Sequence, residues 1–179
     1  MNNAGIIKSV VNLSTLAVLL LVLLMQSSCR VGYSFTGASV SPLVKTITIH
    51  NLPNNASYVW PTLSRNLTQA IKDYFTTQTS LILVERNGDL DLDGSITGYT
   101  ITPTAIQGNE TAAMNRLTIT VHMKFVNKIN EKQNFETDFS KYLDYNSTPE
   151  PSPGQMDTYI ATINEQLVQE IFNKSFANW

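Results

Sequence analysis

The sequence holds one cysteine and two histidines in 179 residues. A single thiol cannot close an internal disulfide, and so few soft ligands do not make a zinc set. Charge is scarce as well. Charged residues make up 15% of the chain against 42% apolar, and the formal net charge is −2. That balance excludes a disordered acidic tail and a strongly basic nucleic-acid binder. Long hydrophobic runs are missing except for one. A polytopic membrane protein is therefore excluded, since each spanning helix needs about 20 mostly apolar residues. Signature motifs of catalysis are missing too: there is no G-x-S-x-G elbow, no H-E-x-x-H helix and no phosphate-binding glycine loop. What the chain has in surplus is Thr, Ser and Asn, the make-up of a β-rich exported protein. Its length predicts one domain.

The one hydrophobic run stands near the N-terminus. Lys8 is the only charge before it, and Leu16 to Met25 is unbroken Leu, Val, Ala and Met. It is short for a membrane span. Gln26-Ser27-Ser28-Cys29 follows at once. This is the charged, greasy and small-residue order of a secretory signal over residues 1–28. Ser27 and Ser28 fit a lipobox; Gln26 stands where Leu is usual. An exported chain with one unpaired cysteine needs a use for it. The simplest use is acylation of Cys29 as the first mature residue, which anchors the chain to a membrane through its acyl chains. Loss of Lys8 takes the net charge from −2 to −3, so a generally membrane-coating cationic surface is not expected. Arg30, not an acidic run, follows the cysteine, which favours a periplasm-facing position.

The mature chain, residues 29–179, reads as alternating short patterns. Leu43 to His50 alternates with Thr and Ile and predicts a strand. A turn cluster around Pro53 precedes a helix from Val59 to Thr77. Its stripe is Leu63, Leu67, Ala70, Ile71, Tyr74 and Phe75. Leu81 to Val84 predicts a short buried strand. Asn87-Gly88 predicts a turn. Leu90 to Ile106 is extended, with a change of phase that predicts a bulge near Gly98. Gly108-Asn109 marks the next turn. From Arg116 to Ile129 the period is two: Leu117, Ile119, Val121, Met123, Phe125 and Ile129 share one face. Phe135, Phe139 and Leu143 pattern the next strand. Ser152-Pro153-Gly154-Gln155 has capping-box spacing and opens a helix carrying Met156, Ile160, Ile163, Leu167 and Ile171. The expected fold is α+β: two α-helices packed on one face of a four-stranded, mostly antiparallel sheet, in the order β-α-β-β-β-α.

Three constellations bear on chemistry. Asp89-Leu-Asp91-Leu-Asp93-Gly94 opens like a calcium loop, but the twelfth position is Thr100 where a bidentate Glu is needed. Leu and Asp also alternate as in a half-exposed strand, so no metal site is expected. His50 and His122 lie on different strands and are expected on polar faces. No catalytic set and no cofactor site is expected. Arg116, Lys124 and Lys128 share the outward parity of one strand, with Arg86 and Lys132 at loops beside them. Such a strip suits phosphate oxygens, with an anionic glycolipid as its candidate ligand, and it equally suits a solvated face whose lysines block strand aggregation.

Cys29-Arg-Val-Gly32-Tyr33-Ser-Phe35-Thr-Gly37 resembles the mature start of LptE-family lipopolysaccharide-assembly lipoproteins, in their Bacteroidota-like version. Pro61-Thr-Leu63-Ser-Arg-Asn-Leu67, Gln78-Thr-Ser-Leu81, Gly88-Asp89-Leu90 and Gly94-Ser-Ile96-Thr-Gly98-Tyr99 are similar as well. The likeness covers essentially the mature chain. It implies a single LptE-like domain over 29–179 and no enzyme activity. It further implies an outer-membrane lipoprotein that sits inside an LptD-type β-barrel, assists its assembly and helps pass lipopolysaccharide to the cell surface. Arg116, Lys124 and Lys128 come from the charge pattern, not from the family. Two other readings compete. A free periplasmic lipid carrier predicts an apolar cavity between helices and sheet, whereas a plug predicts a filled core and a polar outer face. A pilotin for another secretion barrel predicts the same fold with a different partner.

Overall fold

The computed structural model describes residues 40–104 and 114–176. The signal segment, Cys29, Ile106 and the Gly108-Asn109 turn lie outside the described residues. Strand β1 is Thr46–Ile49 and helix α1 is Leu63–Gln78. Strands β2, β3, β4 and β5 are Ile82–Leu83, Leu90–Thr104, Met114–Asn127 and Phe135–Asn146. A single turn of 3-10 helix, Glu131–Gln133, separates β4 from β5, and helix α2 is Pro153–Phe176.

The sheet has five strands in the order β2-β1-β3-β4-β5. The fifth is β2, which the four-strand expectation leaves out. It pairs parallel to β1 through only two residues. Nor is it buried: Ile82 and Leu83 are exposed, and Leu81 alone turns into the core. An edge strand this short presents few unpaired backbone groups to water. β1 also pairs parallel to β3, while β3, β4 and β5 form an antiparallel meander.

Period two decides the faces of the meander. Leu117, Ile119, Val121, Met123 and Phe125 are fully buried, and the residues between them face the other way. The expected bulge is present, as the β3–β4 register shifts between Ile96 and Gly98. It moves the inward position from Ile96 to Tyr99. Ile129, expected in the core, is exposed. The strand ends at Asn127, which takes the next inward position. Its Oδ1 accepts the N–H groups of Ile129 and Asn130, and its Nδ2 donates to Gln133. The buried amide thus turns the chain before Ile129 can reach the sheet.

Helix α1 begins at Leu63, four residues later than expected. The segment before it is held elsewhere. Residues 53–55 bond to both sides of Ile96 on β3, and Trp60 Nε1 donates to Asp157 Oδ1 at 2.8 Å. Thr62 Oγ1 also goes to Asp157 rather than capping its own helix. At α2 the capping box forms as read: Ser152 N–H donates to Gln155 Oε1 and Gln155 N–H to Ser152 Oγ. Reciprocal caps of this kind contribute about 1 kcal/mol.

Both helices lay their apolar stripes on one face of the sheet. Leu63, Leu67, Ile71 and Phe75 of α1 and Ile163, Leu167 and Ile171 of α2 are wholly buried. At the helix C-termini the rings interlock. Phe75 meets Phe172 edge-on at 5.1 Å and Phe176 at 5.5 Å, and Phe176 meets Phe125 of β4 at 6.1 Å. Edge-to-face pairs of this kind contribute about 1 kcal/mol each beyond their burial.

Candidate functional site

The helix-free face of the meander is flat and polar. From β4 it presents Arg116, Thr118, Thr120, His122 and Lys124; from β5, Glu136, Asp138, Ser140, Tyr142 and Asp144. Antiparallel register sets these side chains directly opposite one another: Arg116 with Asp144, Thr120 with Ser140, His122 with Asp138 and Lys124 with Glu136. Each pair closes. Arg116 donates to both Asp144 oxygens at 2.7 and 2.8 Å, and its guanidinium lies 3.8 Å above the Tyr142 ring. The hydroxyls of Thr120 and Ser140 are 3.0 Å apart. His122 lies between two carboxylates, with Nδ1 2.7 Å from Asp138 and Nε2 3.1 Å from Glu136. Lys124 Nζ is 3.7 Å from Glu136.

These contacts shift the titrations in the expected senses. The hydrogen bond from Arg116 holds the Asp144 carboxyl below its ordinary range, and the same bond raises the guanidinium. Hydrogen bonds to Asp138 and Glu136 raise His122, and the bond from His122 lowers Glu136. On the opposite face, burial pushes the Tyr99 hydroxyl up to about 12.

The basic strip is therefore not one bare patch. Arg116 and Lys124 do share the outward face, but eight residues of strand separate them, roughly 27 Å. Each has a carboxylate partner that sequence reasoning did not assign. The signal was the outward parity of Glu136, Asp138 and Asp144, readable only once the β4–β5 register is known. Lys128 sits just past the strand end, where its N–H donates to the Asp89 carbonyl. Its charge also helps hold the Asp89 carboxyl down, after the larger effect of the Lys45 N–H.

The Asp-Leu alternation is a strand, as weighed. Asp89 accepts the N–H groups of Lys45 and Thr46 and the Thr46 hydroxyl, Asp91 pairs with His50 at 3.2 Å, and Asp93 accepts the Gly94 N–H. Extended backbone points these carboxylates along one face without gathering them. Among the described residues no group of three potential ligands gathers for a metal.

Between helices and sheet the space is filled by the side chains named above. A groove lies instead along the outer seam of the two helices. It measures about 400 Å³ and is lined by Ala70, Tyr74 and Thr77 of α1 and Glu165, Val168 and Gln169 of α2. No described helix is long and apolar enough to cross a membrane.

Fold and site define a class: an α+β domain with a filled core and a charge-paired, flat sheet face. The family described as lipopolysaccharide-assembly, LptE, matches residues 44–175, and the chain belongs to it. The fold is similar to that of a minor lipoprotein from Acinetobacter baumannii, at 17% identity and a TM-score of 0.49 over 74% of this chain and 92% of that one. It is also similar to rare lipoprotein B from Shewanella oneidensis, at 13% identity and 0.42 over 73% and 90%. A third similar structure is the PelC dodecamer from Paraburkholderia phytofirmans, at 9% identity and 0.42 over 76% and 88%. No curated protein matches the chain.

Proposed function

We propose that the chain is an outer-membrane lipoprotein, acylated at Cys29 and facing the periplasm, that plugs an LptD-type β-barrel. There it assists barrel assembly and the delivery of lipopolysaccharide to the cell surface. The observation that carries this reading is the pairing of a filled core with a flat polar sheet face. A lipid carrier needs an apolar cavity, and among the described residues the space between helices and sheet is occupied by wholly buried side chains. A plug needs a rigid body whose surface suits a wet barrel lumen, and the β4–β5 face is polar along its length. Family membership supports the same process.

Arg116, Lys124 and Lys128 are the proposed lipopolysaccharide contacts. Phosphate there competes with Asp144 and Glu136 for the first two, so binding should fall with salt. The first test purifies the lipidated protein from its native outer membrane in mild detergent and identifies what accompanies it. A one-to-one complex with an LptD-type barrel is the expected result. Recovery alone, or with an unrelated secretion barrel, overturns the reading in favour of a carrier or a pilotin. With the complex in hand, the Arg116→Gln/Lys124→Gln/Lys128→Gln variant should bind lipopolysaccharide more weakly; unchanged affinity removes these residues from the assignment.

A further inference from the structure

The end of the sheet from which β1 departs has a composition unlike the rest of the surface. Four strands or their leads arrive there side by side. Ile82 N–H donates to the Lys45 carbonyl, Lys45 N–H to the Asp89 carboxylate, and Lys128 N–H to the Asp89 carbonyl. These bonds place the ends of β2, β1, β3 and β4 within three strand spacings, roughly 15 Å. Large apolar side chains stand exposed among them: Leu43 at 72%, Ile82 at 63% and Ile129 at 48%. Of the eight large apolar side chains exposed among the described residues, Leu43, Ile82, Leu83 and Ile129 lie at this end, and such a group points to a surface met by something apolar.

Charge follows the same geography. Lys45, Lys128 and Lys132 lie at this end, and Lys174 is in the last turn of α2, whose Phe176 packs on Phe125. Asp89 and Glu131 are the carboxylates beside them. Four cations against two carboxylates make this end positive in a chain whose net charge is −2. Moreover, the Asp89 carboxylate is already taken up by Lys45 N–H, Thr46 N–H and the Thr46 hydroxyl. Lys45, Lys132 and Lys174 form no ion pair with any described residue.

The chain arrives at this end from the anchor side. The described structure begins at Val40, eleven residues after Cys29, and Val44 leads directly into β1. Eleven residues span at most about 40 Å. We propose that this end of the domain is a phospholipid-docking surface. Leu43, Ile82 and Ile129 enter the headgroup region of the anchoring leaflet, and Lys45, Lys128 and Lys132 meet anionic lipid phosphates. Apolar insertion beside a basic cluster is the second signal that makes an acyl anchor hold a domain against a membrane. The inference rests on acylation of Cys29, and the test separates the two.

The mature chain carrying Cys29→Ser, which has no acyl group, is mixed with vesicles of phosphatidylethanolamine and phosphatidylglycerol at low salt and floated on a gradient. It should float with them, and not with phosphatidylcholine vesicles. Adding Lys45→Gln and Lys132→Gln should weaken flotation about twenty-five-fold, about fivefold per lysine. Leu43→Ser/Ile82→Ser/Ile129→Ser should abolish it while the circular dichroism spectrum stays unchanged. Arg65→Gln/Lys72→Gln, which removes equal charge from α1, should float as the parent does. Failure of the Cys29→Ser chain to float, equal loss in the α1 variant, or flotation only with vesicles containing lipopolysaccharide overturns the proposal. Mass spectrometry of the unsubstituted protein reads Cys29 independently. Acylation without flotation sinks the docking surface alone, and an unmodified Cys29 sinks the lipoprotein reading whatever the vesicles show.

Discussion

His122 is the imidazole held between two carboxylates. Asp138 and Glu136 both accept from it, Lys124 shares Glu136, and the imidazolium is favoured on folding. Its pKa is raised above the ordinary 6.5. The stabilisation is therefore fully present below 6.5 and is lost as pH rises through the folded value. Glu136 works in the opposite sense. Its pKa is lowered from 4.5, so its contribution is present above that value and lost as pH falls through the folded one. The cluster stabilises most between these limits. Melting temperatures compared near pH 5.5 and 8.5 should favour the lower pH, and His122→Gln should remove that difference. A variant that keeps the full difference would move its origin to another group. The site is exposed, so the effect should also shrink in high salt.

At the scale of elements, β1 is the piece that most depends on its neighbours. It lies between β2 and β3, and the connection between those two strands crosses its outer face. Asn87 supplies the left-handed residue of that crossing, with φ of 59°. Gly88 then passes so close that an added Cβ would sit 2.6 Å from Thr48 N and 2.7 Å from Leu90 O. Both are backbone atoms in a paired strand and cannot turn aside. Gly88 N–H meanwhile satisfies the buried Thr48 hydroxyl oxygen. Gly88→Ala should destabilise by about 2 kcal/mol or more. The measurement is a urea midpoint that falls while the slope holds; an unchanged midpoint would mean the crossing is not fixed.

Much of this was legible in the residues. β4 could be read because one of its faces is buried, which makes a one-residue slip costly and the alternation strict. The capping box of α2 could be read because its two bonds are local. The bulge near Gly98 was legible for the same reason, whereas Asn87-Gly88 lies in a crossing between parallel strands and not in the hairpin turn its sequence suggests. Parallel pairing of β1 was not, since its partner Leu90 lies 43 residues from Ile47 and no local pattern specifies that register. β2 was seen as a run but not placed, because Leu81 to Val84 looks alike whether buried or at an edge. The basic strip was legible as a row of cations but its partners were not, because the neutralising carboxylates enter only through the β4–β5 register.

For the whole molecule, the two sides of the sheet divide the work. One side carries the helices and the filled core. The other is free to meet a partner over the length of the meander. If that side docks in the barrel, chemical labelling of the Glu136, Asp138 and Asp144 carboxylates and of Tyr142 should fall sharply in the complex. Labelling of Asp73 and Glu165 along the helix seam should not. Protection of the seam instead would place the barrel against α1 and α2.

The position of β1 has a consequence for how the chain is made. Synthesis delivers it N-terminus first. Ile47 and Ile49 emerge before β2 exists, and before β3 exists to receive them. Ile82 lies 33 residues beyond Ile49 (82 − 49), so neither edge of β1 can be covered until β2 has been made. β3, β4 and β5 suffer no such delay, since they pair with strands adjacent in sequence. The last half of the protein can therefore close on itself while the first strand waits, unpaired and apolar, for a place in a sheet that grows from the other end. A holding chaperone, if one attends this protein, has its target in Thr46–Ile49.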